Sequence, residues 1–188
     1  MDDLTGQLLI AVPRPDDQVD EDDVFARSVI LVLHHDDEGA HGLVLNRPLR
    51  ADVDVVLPGW RNHVTAPQTL FQGGPVQLDS ALALAAVPGD DSSLGIKRLF
   101  GAVGLVDLDA PPVVVMPEVN ALRIFAGYSG WGSDQLEGEI RRGMWFVVEA
   151  EAADAFTHDP DGLWAGVLRR QHSSLALVST FPADPSMN

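Results

Sequence analysis

Cysteine is absent from the 188-residue chain. That excludes a disulfide framework, a thiol nucleophile and a thiolate metal site. Long apolar runs are missing too. Runs such as 28–33 and 81–87 have the length of a strand, whereas a bilayer-spanning helix needs about 18 residues. The chain starts Met1-Asp2-Asp3, acidic where a secretory leader is basic. These absences point to a cytoplasmic protein with no membrane partner. Cations are scarce: 12 Lys and Arg face 28 Asp and Glu, a net charge of −16. A field of that sign repels phosphate backbones and anionic membranes, so direct nucleic-acid binding is disfavoured.

What is present suits one domain over 1–188. The apolar content of 46% is enough for a sizeable core. Six carboxylates with no cation crowd 16–23, which predicts a mobile acidic loop over 13–24. A docking or divalent-ion role for that loop is the alternative, but it lacks the Gly and spaced ligands of a calcium loop.

β-Branched and apolar runs predict strands at 8–12, 29–33, 42–45, 69–72, 81–87, 102–108, 121–126 and 144–148. The turn at 36–39 joins the second and third into a hairpin. Helices are expected at 51–57, 133–142 and 161–170. The second would carry Ser133 or an Asp134/Glu137 capping box at its start and Gly143 at its end. Leu163, Trp164, Val167 and Leu168 form the buried face of the third. Pro111, Pro112 and Pro117 exclude a long helix between 108 and 121. Strands that outnumber helices without alternating with them argue for an α+β fold with a mostly antiparallel sheet.

Several segments invite a chemical reading. Gly127-Tyr128-Ser129-Gly130-Trp131-Gly132 lies between a strand and a helix, as a nucleophile elbow would. The elbow needs Gly two residues after Ser129, and Trp131 stands there. The same segment could cradle an anion on free N–H groups ahead of the helix, with Gly73-Gly74 adding donors and Arg47 charge. The plainer reading is that these glycines permit unusual backbone and let Trp131 pack. Walker and dinucleotide spacings are missing. His34, His35 and His41 flank an acidic turn and suggest zinc, but adjacent strand residues face opposite sides. Asn46-Arg47-Pro48 reads as a turn, or else Arg47 is a fork for a carboxylate or phosphate. Arg169, Arg170 and His172 read as charge complementing a helix C-terminus.

The order of segments carries more than any one of them. Gly6-Gln7-Leu8-Leu9-Ile10-Ala11 comes first, then Phe25-Ala26-Arg27-Ser28-Val29 and Gly42-Leu43-Val44-Leu45-Asn46-Arg47-Pro48. Phe71-Gln72-Gly73-Gly74-Pro75-Val76 follows. Then come Gly127-Tyr128-Ser129-Gly130-Trp131 with Gln135-Leu136-Glu137, then Trp145, and last Pro185-Ser186-Met187-Asn188. This string resembles the bacterial YqgE/AlgH family over nearly the whole chain. The resemblance implies an α+β fold whose bifurcated sheet curls into a pseudo-barrel with peripheral helices, in a cytosolic protein. It implies no settled activity and no catalytic weight on Ser129. The family's label of transcriptional regulation comes without a recognised DNA-binding motif. Members often carry a helical stretch before the Gly-Tyr-x-Gly-Trp strand, which the three prolines here shorten or replace.

Residues and resemblance together suggest a non-enzymatic binding or regulatory protein. It would act through protein contacts or a small anionic ligand, with no cofactor, metal or catalytic residue. The candidate binding residues are Asn46, Arg47, Gly73, Gly74, Tyr128, Ser129 and Trp131. The alternatives are an enzyme of unknown class acting on an anionic metabolite and an indirect transcriptional regulator.

Overall fold

The computed structural model of the chain describes residues 3–13, 24–89 and 94–182. The acidic block at 16–23 and the terminal residues 183–188 lie outside them. Among the described residues nine strands form one sheet: β1 (Gln7–Ala11), β2 (Val29–Asp36), β3 (Gly39–Val44), β4 (Phe71–Gln72), β5 (Val76–Ala86), β6 (Ile96–Phe100), β7 (Val103–Val106), β8 (Ala121–Gly132) and β9 (Trp145–Glu149). Their order is β6-β7-β5-β8-β3-β2-β1-β9, with β4 beside β8. Every described pairing is antiparallel except β4 with β8.

β8 is the strand where the sheet forks. Its first half pairs with β5 and β4, and its last residues, from Ser129 to Gly132, pair with β3. The sheet curls into a half-barrel with a few helices around it, as the α+β expectation had it. Helices α1 (Val53–Val56), α2 (Pro112–Val115), α3 (Gln135–Arg141), α4 (Leu163–Arg169) and α5 (Leu175–Val178) are short. None of the described helices is long and apolar enough to cross a membrane.

Period-2 alternation sorts the strands onto two surfaces. Leu8, Ile10, Leu31, Leu43, Leu84, Phe125 and Val148 point into the half-barrel. There they meet Leu163, Trp164, Val167 and Leu168 of α4, the face expected from sequence. On the outer surface, Leu9, Ile30, Val32 and Val44 pack under α3 with Trp131 and Trp145. Farther along, Ala83, Ala85, Leu122 and Ile124 pack under α1 and α2.

Some expectations need correction. The segment 127–132 is the end of strand β8, not a loop ahead of a helix, so its backbone is taken up by β3 and β5. β2 runs on through His34 and His35 to Asp36. The strand expected at 81–87 starts at Val76, with a register shift between Val76 and Ala81. β6 was not foreseen, because Lys97 and Arg98 interrupt its apolar pattern. They suit an edge strand, where exposed charge discourages further pairing. The capping box of α3 does not form. Asp134 adopts φ 59° with no side-chain cap, while Gln135 accepts the Gly132 N–H and Ser133 donates to the Asp37 carbonyl. Gly143 ends α3 as expected, at φ 73°, its N–H reaching the Ile140 carbonyl at 2.9 Å. The prolines limit α2 to four residues.

Candidate functional site

The seven residues singled out from sequence form contiguous framework. Asn46 is buried; its Oδ1 accepts from the Val29 N–H at 3.0 Å and its Nδ2 donates to the Arg27 carbonyl at 2.9 Å. It therefore ties strand β2 to the segment after β3 and does not cap a local turn. Arg47 donates to the carbonyls of Asn46 and Ala26. Gly73 and Gly74 lie against β8: a Cβ on Gly73 would stand 2.4 Å from the Gly127 carbonyl oxygen. The Gly73 carbonyl accepts from Val44 N–H at 2.8 Å and from the Ser129 hydroxyl at 3.1 Å. Ser129 is fully buried inside a strand, so the elbow geometry is absent. Tyr128 packs beside His41. Trp131 and Trp145 both donate their indole N–H to Glu139 Oε2, at 2.9 and 2.8 Å.

The histidines separate as strand alternation requires. His34 sits opposite His41 in register and bonds Asp36 at 2.8 Å on the surface. His35 turns inward. Its Nδ1 accepts the Leu4 N–H at 3.1 Å, which leaves the ring proton on Nε2, 2.8 Å from Glu137 Oε1. His41 is exposed at the hairpin end, whereas His35 is buried. Among the described residues no group of three or more His, Asp or Glu is placed to hold a metal.

Burial pushes the Glu137 carboxyl upward in pKa, but its own backbone N–H and His35 outweigh that, and the net shift is downward. A carboxyl with a depressed folded pKa stabilises fully above its unfolded pKa. That stabilisation is lost as pH falls through the folded value. Glu137→Gln should therefore flatten the decline of unfolding free energy on the acid side, measured by urea titration at stepped pH below about 5. An unchanged slope would show that the pair does not contribute.

An accessible concavity lies elsewhere, at one mouth of the half-barrel. A groove of about 750 Å³ is floored by Ala86 and Ala121, which are cross-strand partners. Segment 63–66 forms one wall, and the turn Ala152–Phe156 with Thr157 and His158 forms the other. Thr65 is anchored to the start of β8 by its N–H and hydroxyl, both bonded to Leu122.

Arg123 ties the two walls together from behind. It lies two residues beyond Ala121 on the same inward face of β8 and is 1% exposed. Nη1 donates to the Thr157 carbonyl at 2.8 Å and Nη2 to the Ala66 carbonyl at 2.8 Å. Longer contacts of 3.5 Å reach the carbonyls of Ala155 and Thr65. The guanidinium lies 4.1 Å over the Phe71 ring, and Nε is buried without a hydrogen-bond partner. Among the described residues no carboxylate pairs with Arg123. Burial alone therefore acts on its pKa, pulling it down to about 10. The cation is desolvated and held by carbonyl oxygens and the Phe71 ring, with no counter-charge among the described residues.

The carboxylate in the groove wall is, by contrast, neutralised. Asp154 accepts a bidentate fork from Arg170 at 2.6 and 2.7 Å and the Glu151 N–H at 2.8 Å. The same contact holds the Arg170 pKa up. Arg170→Ala leaves the buried carboxylate without its partner. It should cost about 2 kcal/mol in urea unfolding, less than the 3–5 of a fully buried pair, because the Arg170 side chain is 26% exposed. A loss below about 0.5 kcal/mol would mark the pair as an ordinary surface bridge.

A family model described as AlgH-like matches residues 8–176. The chain belongs to the AlgH-like family. A UPF0301 protein of Streptomyces coelicolor is 52% identical over 98% of this chain and 95% of its own length. One from Thermobifida fusca is 45% identical over 98% and 96%. The crystal structure of a Corynebacterium diphtheriae protein superposes with a TM-score of 0.83 at 34% identity, covering 94% of this chain and 91% of that one. The solution structure of AlgH from Pseudomonas aeruginosa superposes at 0.68 and 25% identity, covering 97% and 96%.

Within this AlgH-like chain, none of the seven residues chosen from sequence lines the groove. Arg123 was overlooked, although a signal existed: a lone cation inside the apolar run 121–126 is costly unless its donors are used. Its partners are backbone carbonyls from 65–66 and 155–157, which carry no sequence mark. His63, Asn120 and His158 also reach the groove and have no motif around them.

Proposed function

We propose that the chain is a non-enzymatic binding or regulatory protein that holds a small anionic ligand in the groove beside Arg123. The observation that carries this reading is a buried guanidinium with no carboxylate partner among the described residues, behind an open concavity at a half-barrel mouth. Such mouths are recurrent ligand sites, and this volume falls in the usual range for small molecules. Ala121 and Arg123 stand two residue steps apart on the same face of β8, about 7 Å between Cα atoms. An anion held about 7 Å from the guanidinium would gain about 2 kcal/mol at an effective dielectric near 20. His63, Asn120 and His158 supply polar atoms along the lining.

Binding without catalysis is favoured by how the lining hydroxyls are used. Thr65 Oγ1 accepts from Leu122 N–H. Thr157 Oγ1 donates to the Asp159 carbonyl and accepts its N–H. Among the described residues neither His63 nor His158 is hydrogen-bonded to a lining hydroxyl, so no nucleophile–base pair is assembled there.

Thermal unfolding tests this reading. All four tryptophans are buried, so fluorescence follows the transition. A carboxylate or phosphate compound at a hundred times its Kd should raise the midpoint by about 5 °C or more. No shift with any small anion would contradict the reading and direct attention to protein partners.

A further inference from the structure

We infer that the groove takes a monocarboxylic acid with an apolar body, carboxylate toward Arg123 and hydrocarbon along the alanine floor. This rests on the anion-binding reading above and narrows it by two observations. First, the walls are largely apolar: Ala86, Ala121, Ala153, Met116, Phe156 and Leu163 line most of the length. A sugar phosphate would leave its hydroxyls unpaired against such a surface. Second, the built-in charge is single. Arg123 is the only guanidinium donating to the groove walls without a carboxylate partner among the described residues, since Arg170 is held by Asp154. Phosphate dianions and nucleotides are met elsewhere by clusters of cations. A net charge of −16 repels them further, whereas a single carboxylate matches a single cation. The open mouth leaves the distal end of the hydrocarbon free to extend past His63 and His158.

Titration calorimetry with sodium octanoate, octanamide and inorganic phosphate tests the inference on the full chain. Octanoate should bind and octanamide should bind at least tenfold more weakly, because the amide keeps the hydrocarbon and loses the charge. Ala121→Phe fills the floor without touching Arg123 and should weaken octanoate at least tenfold. This variant serves because Arg123→Met endangers folding. Phosphate binding without octanoate binding would overturn the carboxylic-acid class while leaving the anion site standing. Equal binding of octanoate and octanamide would overturn recognition of the charge. Absence of binding by all three would overturn both the class and the site.

Discussion

Gly74→Ala is expected to destabilise the protein by about 3 kcal/mol or to prevent folding, as overpacking against rigid backbone does. A Cβ there would stand 2.3 Å from the Tyr128 carbonyl carbon and oxygen and 2.4 Å from the Ser129 nitrogen. Those atoms belong to β8 where the sheet forks, so they cannot give way without disturbing the pairings of β3 and β5. Urea unfolding measures the loss. Gly166→Ala is the matched control: it sits in α4 with nothing within 4 Å of the added Cβ and should gain about 0.5–1 kcal/mol from helix propensity. A Gly74→Ala variant as stable as the parent would show that the segment at 73–74 does not lie against β8.

Arg123→Met should lose about 3 kcal/mol. The thioether fills much of the volume and removes a desolvated charge, which on its own is favourable. Against that, the carbonyls of Ala66 and Thr157 lose charge-assisted bonds, each worth about 1.5–3 kcal/mol, and remain behind a buried wall. The unfavourable terms win because two wall segments are released at once. Arg123→Lys should recover less than half of the loss, since an ammonium on a flexible stem cannot fork to both walls. Chemical denaturation reads both variants. A stable Arg123→Met chain would mean that the walls stand without the clamp.

The architecture was largely legible because burial leaves a pattern. The continuous apolar runs of β1 and β2, buried on both faces, and the four-residue face of α4 are direct consequences of burial. The family resemblance supplied the fork and the curl, which no local pattern encodes. The glycines at 127–132 misled because glycine density usually marks loops. Here Gly127 admits the close approach of the Gly74 and Val76 carbonyls while the strand continues. The site was harder to read for a related reason. Gly73, Gly74, Ser129 and Asn46 are conspicuous residue types, and their conspicuous chemistry is used up in holding β2, β3 and β8 together. The groove is built from alanines and carbonyl oxygens, backed by one arginine within a strand, whose meeting depends on tertiary contacts between segments 34 and 57 residues apart.

The direct test is amide chemical-shift mapping of the labelled protein during titration with a small carboxylate such as octanoate and with inorganic phosphate. Binding at the groove should move the amides of 63–66, 120–123 and 152–158 in a saturable way and leave 46–47, 73–74 and 128–131 in place. Shifts centred on the second set, or none at all, would contradict a ligand site beside Arg123.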